Sequence, residues 1–355
     1  MKDVTPWRDR SATINRILCI RPDGIGDMVC ALPAFVALRR AHPAAHLTVM
    51  ASPLNAPIIK ADPAVSETLV VDRQGSHQAA RGMYALVRSV RRARYDAVIV
   101  MRTATYTNVL AATSGAAQRV GYKGKPGSRW FSHALDGGHT RGSEHEVVRS
   151  MRLAHALGAS ATAADPVIAL TDEESAWASR WLADNGIDDG APFVGVHPGG
   201  SSADKRYPED RFGKAASRLT EEMGSAVPTV VFGGPDDAAR VEGVLDSVEN
   251  VAVSAGSLTL RRLISLMARV RVMLVNDSGP MHMAAAVGVP LVAIFGPTDH
   301  VRWMPRAATA QLVMADDTRP GAVAAGTEES DVHRIPHGWV VEAGRRALAQ
   351  AGGQR

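Results

Sequence analysis

Short apolar runs rich in β-branched residues alternate along the chain with segments whose apolar positions recur at helical spacing. The short runs predict buried strands at residues 17–21, 46–52, 95–101, 193–197, 228–233, 270–276 and 290–296. The periodic segments predict helices at residues 27–41, 81–94, 143–158, 210–223, 235–246 and 340–351. Strands and helices in alternation build parallel sheets covered by helices, so the predicted fold class is α/β.

The strands fall into two series, which predicts two α/β halves, and the sequence of one half does not repeat in the other. Ser143 and Glu146 match a capping box, so a helix is predicted from near Ser143 to Gly158. The next helix is predicted to end in an Asn-Gly pair before turn-rich residues, which places the boundary within residues 170–192. Residues 316–335 are polar and aperiodic and predict a long loop of unassigned role.

The composition is that of a globular protein with room for two domains. The chain has 355 residues, 46% hydrophobic and 21% charged, and no apolar run approaches the roughly 18–20 residues of a membrane-spanning helix. Residues 1–11 lack the apolar core of a secretory signal, so we expect a cytoplasmic protein. Cys19 and Cys30 occur in an apolar strand and on an apolar helix face, which indicates core residues rather than a disulfide or metal ligands.

The charge balance favours an anionic partner. The formal net charge is +4 and the pI is near 9.3, and the predicted helix at 81–94 is the most basic. We do not expect nucleic-acid binding, because only 5% of the residues are aromatic and few side chains are available to stack on bases. The basic helix is interpreted as a solvated face, as a contact with an anionic membrane surface, or as a recognition element for an anionic acceptor.

A glycine-containing turn follows the first predicted strand and leads into a helix. Gly24 and Gly26 leave its backbone N–H groups accessible, as in a dinucleotide site. However, Val29 replaces the third glycine of that motif, and no acidic residue follows the second strand at Ser52, so a dehydrogenase is disfavoured. Asp27 has two interpretations: a carboxylate that complements the helix dipole, which is the better explanation taken alone, or a base for a substrate hydroxyl.

A second candidate loop, residues 197–208, follows the first strand of the second half. It contains groups suited to phosphate oxygens, namely Gly199, Gly200, Ser201, Ser202, Lys205 and Arg206. The loop lacks the ending of a Walker P-loop, so magnesium-held triphosphate chemistry is not supported. A diphosphate without a dedicated metal fits better than a magnesium-held triphosphate. An ordinary Gly-Ser loop with solvated Lys205 and Arg206 explains any one of these residues, but explains the whole set less well.

A third candidate segment joins a predicted strand to a helix and contains Asp277, Ser278 and His282. Taken separately, Ser278 is explained as a helix N-cap and His282 as a satisfied helix histidine. Residues 233–237 and 296–299 are similar strand-end loops, so a ligand crevice is expected at this sheet edge. The sequence contains no Asp-x-Asp triplet, H-E-x-x-H motif or G-x-S-x-G motif, and no metal site is predicted.

These segments, in this order, resemble those of glycosyltransferase family 9, the ADP-heptose heptosyltransferases, over most of the chain. The matching parts are Gly26-Asp27 followed by Leu32-Pro33-Ala34, residues 197–208 with Lys205, Asp277-Ser278-Gly279 with His282, and residues 296–299. The resemblance implies the GT-B arrangement, in which the parallel sheets of two Rossmann-like domains face an interdomain cleft. Residues 1–175 would form the acceptor-binding domain and 190–335 the nucleotide-sugar-binding domain, and the helix at 336–355 would pack back toward the N-terminal domain.

The resemblance also implies an inverting transfer of heptose from ADP-heptose to an acceptor hydroxyl, with no metal or other cofactor. Asp27 would be the catalytic base, Lys205 would contact the diphosphate or sugar, and Asp277 would contact the sugar hydroxyls. The other donor-binding positions that it implies are Ser201, Ser202, Asp237, Leu258, Ser278, Gly279 and His282. Asp237 corresponds to a position where some family members have a glutamate on the ribose, and Leu258 to a backbone contact with adenine.

The acceptor is left open, and no acceptor-binding residue is assigned. The default is the lipopolysaccharide inner core, which is consistent with a basic protein in peripheral contact with the inner membrane leaflet. The excess of arginine over lysine indicates a GC-rich genome, and a source without an outer membrane would need another acceptor, such as an aminoglycoside or nucleoside antibiotic. A non-catalytic nucleotide-sugar-binding relative and a peripheral lipid-surface protein are the further alternatives. The joint presence of Asp27, Lys205 and Asp277 counts against a non-catalytic binder.

Overall fold

The computed structural model describes residues 13–137, 142–160, 162, 164–224, 227–315 and 331–353. Their strands are β1 (Arg16–Ile20), β2 (His46–Ala51), β3 (Glu67–Val70), β4 (Ala97–Val100), β5 (Gln118–Tyr122), β6 (His133–Leu135), β7 (Val194–His197), β8 (Thr229–Val231), β9 (Ala252–Ser254), β10 (Val272–Asn276), β11 (Leu291–Phe295) and β12 (Ala310–Met314). Their helices are α1 (Ile25–Ala41), α2 (Ala80–Arg92), α3 (Thr105–Thr113), α4 (Glu146–His155), α5 (Asp172–Asp184), α6 (Glu209–Met223), α7 (Ala238–Leu245), α8 (Leu260–Met267), α9 (Gly279–Ala286), α10 (His300–Trp303) and α11 (His337–Gly352).

The first of two compact units takes its described residues from 13–137 and 144–166. Its six strands form a parallel sheet in the order β3-β2-β1-β4-β5-β6. Leu18 of β1 pairs with Thr48 of β2 on one side and with Val98 of β4 on the other, and all three residues are fully buried. The centre of the sheet therefore forms the core of this unit.

The second unit takes its described residues from 142–143 and 167–353. Its sheet is also parallel and six-stranded, in the order β12-β11-β10-β7-β8-β9. Read from its own first strand, this is the same topology as in the first unit. Leu274 of β10 pairs with Val196 of β7 and Val292 of β11, again at fully buried positions. The predicted α/β class with two Rossmann-like domains is confirmed, and the topology repeats although the sequence does not.

In each unit the first strand lies between its sequence neighbour and the fourth strand. The connection after β1 therefore leads to one side of the sheet and the connection after β4 leads to the other, and the same holds for β7 and β10. Such a switch point opens a crevice at the carboxyl ends of the two strands, where ligands bind in open α/β sheets. The residues that follow β1, β4, β7 and β10 are consequently the ones placed to form a site.

The predicted strands all occur, with ends shifted by up to two residues. The strands that were not predicted are β3, β5, β6, β9 and β12. Four of them, β3, β6, β9 and β12, are the edge strands of the two sheets and have mostly exposed or half-buried side chains, so they lack the apolar run that identifies a central strand. Helices α3, α8 and α10 were also missed, and each has nine residues or fewer. Short elements give too few repeats for a helical period to be recognised.

One domain boundary and the packing of one helix differ from the predictions. The division between the units falls after residue 166, before α5, rather than at 175–190. Helix α11 was expected to pack toward the N-terminal domain, but it packs on α6 and strands β10–β12 of the second unit. Its apolar positions Val340, Ala343 and Ala347 lie on one face and are fully buried in that unit's core.

The predicted capping box at Ser143 is wrong, because α4 begins at Glu146 and His145 is its N-cap. Cys19 in β1 and Cys30 in α1 are fully buried core residues, as expected. The predictions for residues 1–11 and for most of the loop at 316–335 lie outside the described residues. None of the helices in the described part of the chain combines the length and apolar character required to cross a bilayer.

Candidate active site

Arg21 directly follows β1, at the carboxyl ends of the strands of the first sheet. It is the largest fully buried charged side chain there, with 2% of its surface exposed. Its Nη1 donates to the Met101 carbonyl after β4 at 3.0 Å, so it bridges the two strands of the switch point. Its Nη2 donates to Asp27 Oδ1 at 3.1 Å and to Glu146 Oε1 at 2.7 Å. A buried charge of this kind requires such partners, since burial without them costs several kcal/mol.

The electrostatic environment keeps Arg21 charged. Burial disfavours the cation, but the carboxylates of Asp23, Glu146 and Asp27 outweigh burial and raise the pKa of Arg21. Three acidic side chains therefore share one buried guanidinium, with Arg102 Nη1 3.9 Å from Asp23 on the outer side. This edge of the first unit is a dense cluster of charge.

Asp27 lies in the first turn of α1, and its side chain remains 26% exposed. A Cβ at Gly24 would lie 2.9 Å from Asp27 Oδ2, so a glycine is needed there for the carboxylate to take this position. The partner of Asp27 is Arg21, which also donates through Nε to the Asp27 carbonyl at 3.0 Å. Asp27 is therefore an oriented carboxylate at an accessible strand edge, which suits it to accept a proton.

Asp23 is, like Glu146, a buried carboxylate of the cluster, with 7% of its side chain exposed. Burial raises the pKa of Asp23 to about 6; Arg21 opposes that rise and the nearby Asp27 carboxylate adds to it. The loop is also held by Asn55, whose Nδ2 donates to the carbonyls of Arg21 and Asp23 at 3.0 Å each. Asp23 thus changes protonation in a range where most aspartates are already ionised.

In the second unit, the buried amide of Asn276 at the end of β10 fixes the loop that follows β7. Its Nδ2 donates to the Pro198 carbonyl at 2.8 Å, and its Oδ1 accepts from the Tyr207 backbone N–H at 3.1 Å. One side chain therefore holds both ends of the predicted phosphate loop. Gly296, after β11, permits a further close approach, because a Cβ there would lie 2.4 Å from the Asp204 carbonyl oxygen.

The same loop brings Lys205 to Asp277, the residue that follows Asn276. Lys205 Nζ donates to Asp277 Oδ2 at 2.8 Å, with 24% and 7% of the two side chains exposed. Two residues selected independently from the sequence, 72 positions apart, thus form one ion pair. The pair lies at the switch point of the second sheet, where a diphosphate-linked sugar could meet a cation and a hydrogen-bond acceptor together.

Asp237 lies after β8, beside the same loop. A Cβ at Gly199 would be 2.5 Å from Asp237 Oδ2, so the carboxylate packs directly on this glycine. His197, which ends β7, is buried next to it; burial lowers the pKa of His197, although Asp237 acts in the opposite direction. The strand ends of β7 and β8 therefore meet as expected for a ligand crevice.

The remaining predicted donor residues lie at this edge in less direct arrangements. Ser278 is the N-cap residue of α9, but its hydroxyl donates to the Asn276 carbonyl at 3.1 Å rather than capping the helix. Gly279 is the first residue of α9, and His282 is buried with its ring edge-on to Trp303. Ser201 is exposed, Ser202 donates to Asp204, and Leu258 follows β9 at the outer edge of the sheet. The roles of these residues stay predictions.

Sequence reasoning did not assign roles to Arg21, Glu146 and Asn276. All three are polar residues that the structure buries, Arg21 and Asn276 at strand ends and Glu146 at the start of α4. A charged or amide residue directly after an apolar strand was the available signal for Arg21 and Asn276. No local signal connects Glu146 to Arg21, because 125 residues separate them.

The fold and the strand-end residues define a two-domain α/β protein with polar loops at the switch point of each sheet. Residues 83–329 match the family described as Glycosyltransferase family 9 (heptosyltransferase), and this match spans more than half of the chain. The chain belongs to that family and is a glycosyltransferase.

Individual relatives and solved structures are similar to this chain over most of its length. The chain is 25% identical over 298 residues to lipopolysaccharide heptosyltransferase 2 of Escherichia coli K12, a match that covers 80% of this chain and 83% of the relative. A family 9 glycosyltransferase from Veillonella parvula has a similar fold, with a TM-score of 0.83, 24% identity and coverage of 94% and 97% of the two chains. The ADP-heptose lipopolysaccharide heptosyltransferase II of E. coli gives a TM-score of 0.77 at 22% identity, over 95% of this chain and 99% of that one.

The raised pKa of Asp23 predicts a specific pH dependence of stability. The folded protein keeps the Asp23 proton up to about pH 6, whereas the unfolded chain releases it near pH 4. The contribution of this group is therefore present at low pH and is lost as the pH rises through about 6, by up to about 3 kcal/mol. Relative to wild type, Asp23→Asn should gain stability between pH 4 and pH 7, as measured by urea unfolding of the full chain.

Asp188→Asn, which changes an exposed carboxylate, serves as the control and should show no such trend. A constant difference between wild type and Asp23→Asn across this pH range would contradict the prediction.

Proposed function

We propose that the protein transfers a heptose from ADP-heptose to an acceptor hydroxyl, with inversion at the anomeric carbon and without a metal ion. The Lys205–Asp277 ion pair at the switch point of the second sheet is the observation that carries the donor half of this proposal. The similarity to lipopolysaccharide heptosyltransferase 2 and to an ADP-heptose lipopolysaccharide heptosyltransferase supports ADP-heptose as the donor and lipopolysaccharide as the acceptor class.

In the proposed reaction, Asp27 acts on the acceptor, whereas Lys205 and Asp277 act on the donor. The Asp27 carboxylate accepts the proton of the acceptor hydroxyl while the hydroxyl oxygen forms a bond to the anomeric carbon. The bond from that carbon to the diphosphate oxygen breaks, and ADP leaves with the electron pair. Lys205 stabilises the charge that develops on the diphosphate, and Asp277 accepts hydrogen bonds from the sugar hydroxyls. Attack opposite the leaving group inverts the configuration.

The Asn276 amide supports this assignment because it fixes the loop before a donor binds. A loop already held at Pro198 and Tyr207 loses little conformational freedom when Lys205 contacts a phosphate. The same loop has two glycines and two serines whose backbone and hydroxyl groups are suited to diphosphate oxygens. These features favour binding of a ligand that contains a diphosphate, such as a nucleoside diphosphate sugar.

Nucleotide titration tests the donor assignment. Calorimetry with ADP, UDP, GDP and NAD, each with and without EDTA, should show preferential ADP binding that EDTA does not change. Lys205→Ala should weaken ADP binding about 10- to 100-fold, because it removes a charge-assisted contact and leaves Asp277 buried without its cation.

Lys214→Ala is the matched control, since Lys214 is an exposed lysine of α6 paired with Asp210. A preference for another nucleotide, or equal ADP affinity in Lys205→Ala and wild type, would refute the donor assignment.

Turnover by Asp27→Asn tests the base. This variant should lose about 100- to 10,000-fold in kcat, the usual contribution of a general base, while its affinity for ADP stays within twofold. The assay follows ADP release from ADP-heptose in the presence of a lipopolysaccharide inner-core acceptor on which the wild type is active.

Asp62→Asn, a substitution in the same unit before β3, should keep wild-type turnover. Normal kcat in Asp27→Asn would remove Asp27 from the base role.

Helix α2 supports a peripheral contact with an anionic membrane. Its Leu86 and Val90 are buried, whereas Arg81, Tyr84 and Arg88 are exposed along one face. Residues 73–95 contain six arginines and no acidic residue. Arginines flanking an exposed tyrosine suit the head-group region of a bilayer that contains anionic lipid, and each is worth about 1 kcal/mol there.

Vesicle sedimentation tests this surface. The protein should bind phosphatidylglycerol-containing vesicles and not phosphatidylcholine vesicles, and Arg81→Glu with Arg88→Glu should weaken binding at least about tenfold. The pair Arg180→Glu and Arg218→Glu makes the same charge change on exposed arginines of the second unit and should retain binding. Equal loss in both double variants would indicate net charge rather than the α2 face.

A further inference from the structure

Glu146 extends the contacts of Asp27 into the interior of the first unit. Arg21 Nη2 lies between the two carboxylates, 3.1 Å from Asp27 Oδ1 and 2.7 Å from Glu146 Oε1. The guanidinium is anchored at its other nitrogens by the carbonyls of Met101 and Asp27. Because Nη2 contacts both carboxylates, the position of Glu146 helps to set where the guanidinium lies, and with it the position of Asp27.

Glu146 is itself fixed from two sides. It is the first residue of α4 and only 4% exposed, and its Oε2 lies 3.6 Å from Arg149 Nε on the next turn. The Arg149 guanidinium lies over the Tyr122 ring at 4.4 Å, and the Tyr122 hydroxyl donates to the Arg149 carbonyl at 2.7 Å. Strand β5 and helix α4 therefore hold Glu146 in place.

The exposed fractions of the three carboxylate side chains indicate which one a substrate can reach and which ones only support it. The Glu146 and Asp23 side chains are 5% and 7% exposed, whereas that of Asp27 is 26% exposed. A buried ion pair is weak support for a fold, because apolar residues of similar volume commonly serve as well or better. Here the buried Glu146 contacts the buried Arg21, which in turn contacts the accessible Asp27. In functional sites, buried residues commonly orient a reacting group in this way.

We propose that Glu146, acting through Arg21, is a positioning residue that holds the Asp27 carboxylate in its reactive orientation. This inference rests on the proposed function of Asp27 as the base. Without the Glu146 carboxylate, Arg21 Nη2 is no longer shared, and the guanidinium shifts toward Asp27 and Asp23. The Asp27 oxygen that must reach the acceptor hydroxyl is then displaced, which lowers kcat without changing the donor-binding residues of the second unit.

Graded substitution of Glu146 tests the inference. Glu146→Gln keeps an oxygen that can accept from Arg21 and should lower kcat about 10-fold, whereas Glu146→Ala should lower it about 100-fold. The KM for ADP-heptose should stay within twofold in both variants. Arg21→Lys should behave like Glu146→Ala, because one ammonium cannot reproduce the fixed fork of a guanidinium.

Glu174→Gln is the matched control. Glu174 also lies in the first turn of a helix and pairs with a largely buried arginine, Arg261, but in the second unit. It should keep kcat within twofold of wild type. Thermal melting of every variant identifies any loss of folded protein, and kcat is expressed per folded molecule.

The outcomes separate the two proposals. If Asp27→Asn turns over normally, the proposed base is wrong and the inference falls with it. If Asp27→Asn is inactive while the Glu146 variants keep wild-type kcat, only the inference is overturned. A rise in KM in place of a fall in kcat, or an equal kcat loss in Glu174→Gln, would also overturn it.

Discussion

Burial of one guanidinium at the end of β1 organises the carboxyl edge of the first sheet. Arg21 ties β1 to β4 through Met101 and ties both to α4 through Glu146. The cation can be buried only because carboxylates surround it, and the least buried of these is Asp27. The charge that requires neutralising and the carboxylate assigned to the reaction are therefore parts of one arrangement.

In the second unit, a neutral side chain connects the strand end to the neighbouring loop. Asn276 occupies the end of β10, and its amide satisfies a carbonyl and an N–H of the adjoining loop without introducing charge. Lys205, on the loop that Asn276 holds, then pairs with Asp277, the residue that follows Asn276. One topology thus supports a charged cluster in one unit and an amide-held loop in the other.

The sequence predicted the α/β class, the central strands and the segments that carry Asp27, Lys205 and Asp277, because buried strands and glycine-containing strand ends leave local patterns. It did not predict edge strands such as β9, whose side chains are largely exposed or half-buried. The partnership of Arg21 with Glu146 was also out of reach. That contact depends on how α4 packs beside α1, and no spacing in the chain encodes it.

Helix α11 bears on the order in which the protein acquires its structure during synthesis. Val340, Ala343 and Ala347 complete the core formed by residues such as Val196 and Leu274. These helix residues leave the ribosome after every strand of their own sheet, so the second unit keeps an apolar face uncovered until then. The first unit already has all six of its strands and α4 well before this stage. The two units, equal in topology, are therefore completed at different times in the life of the nascent chain.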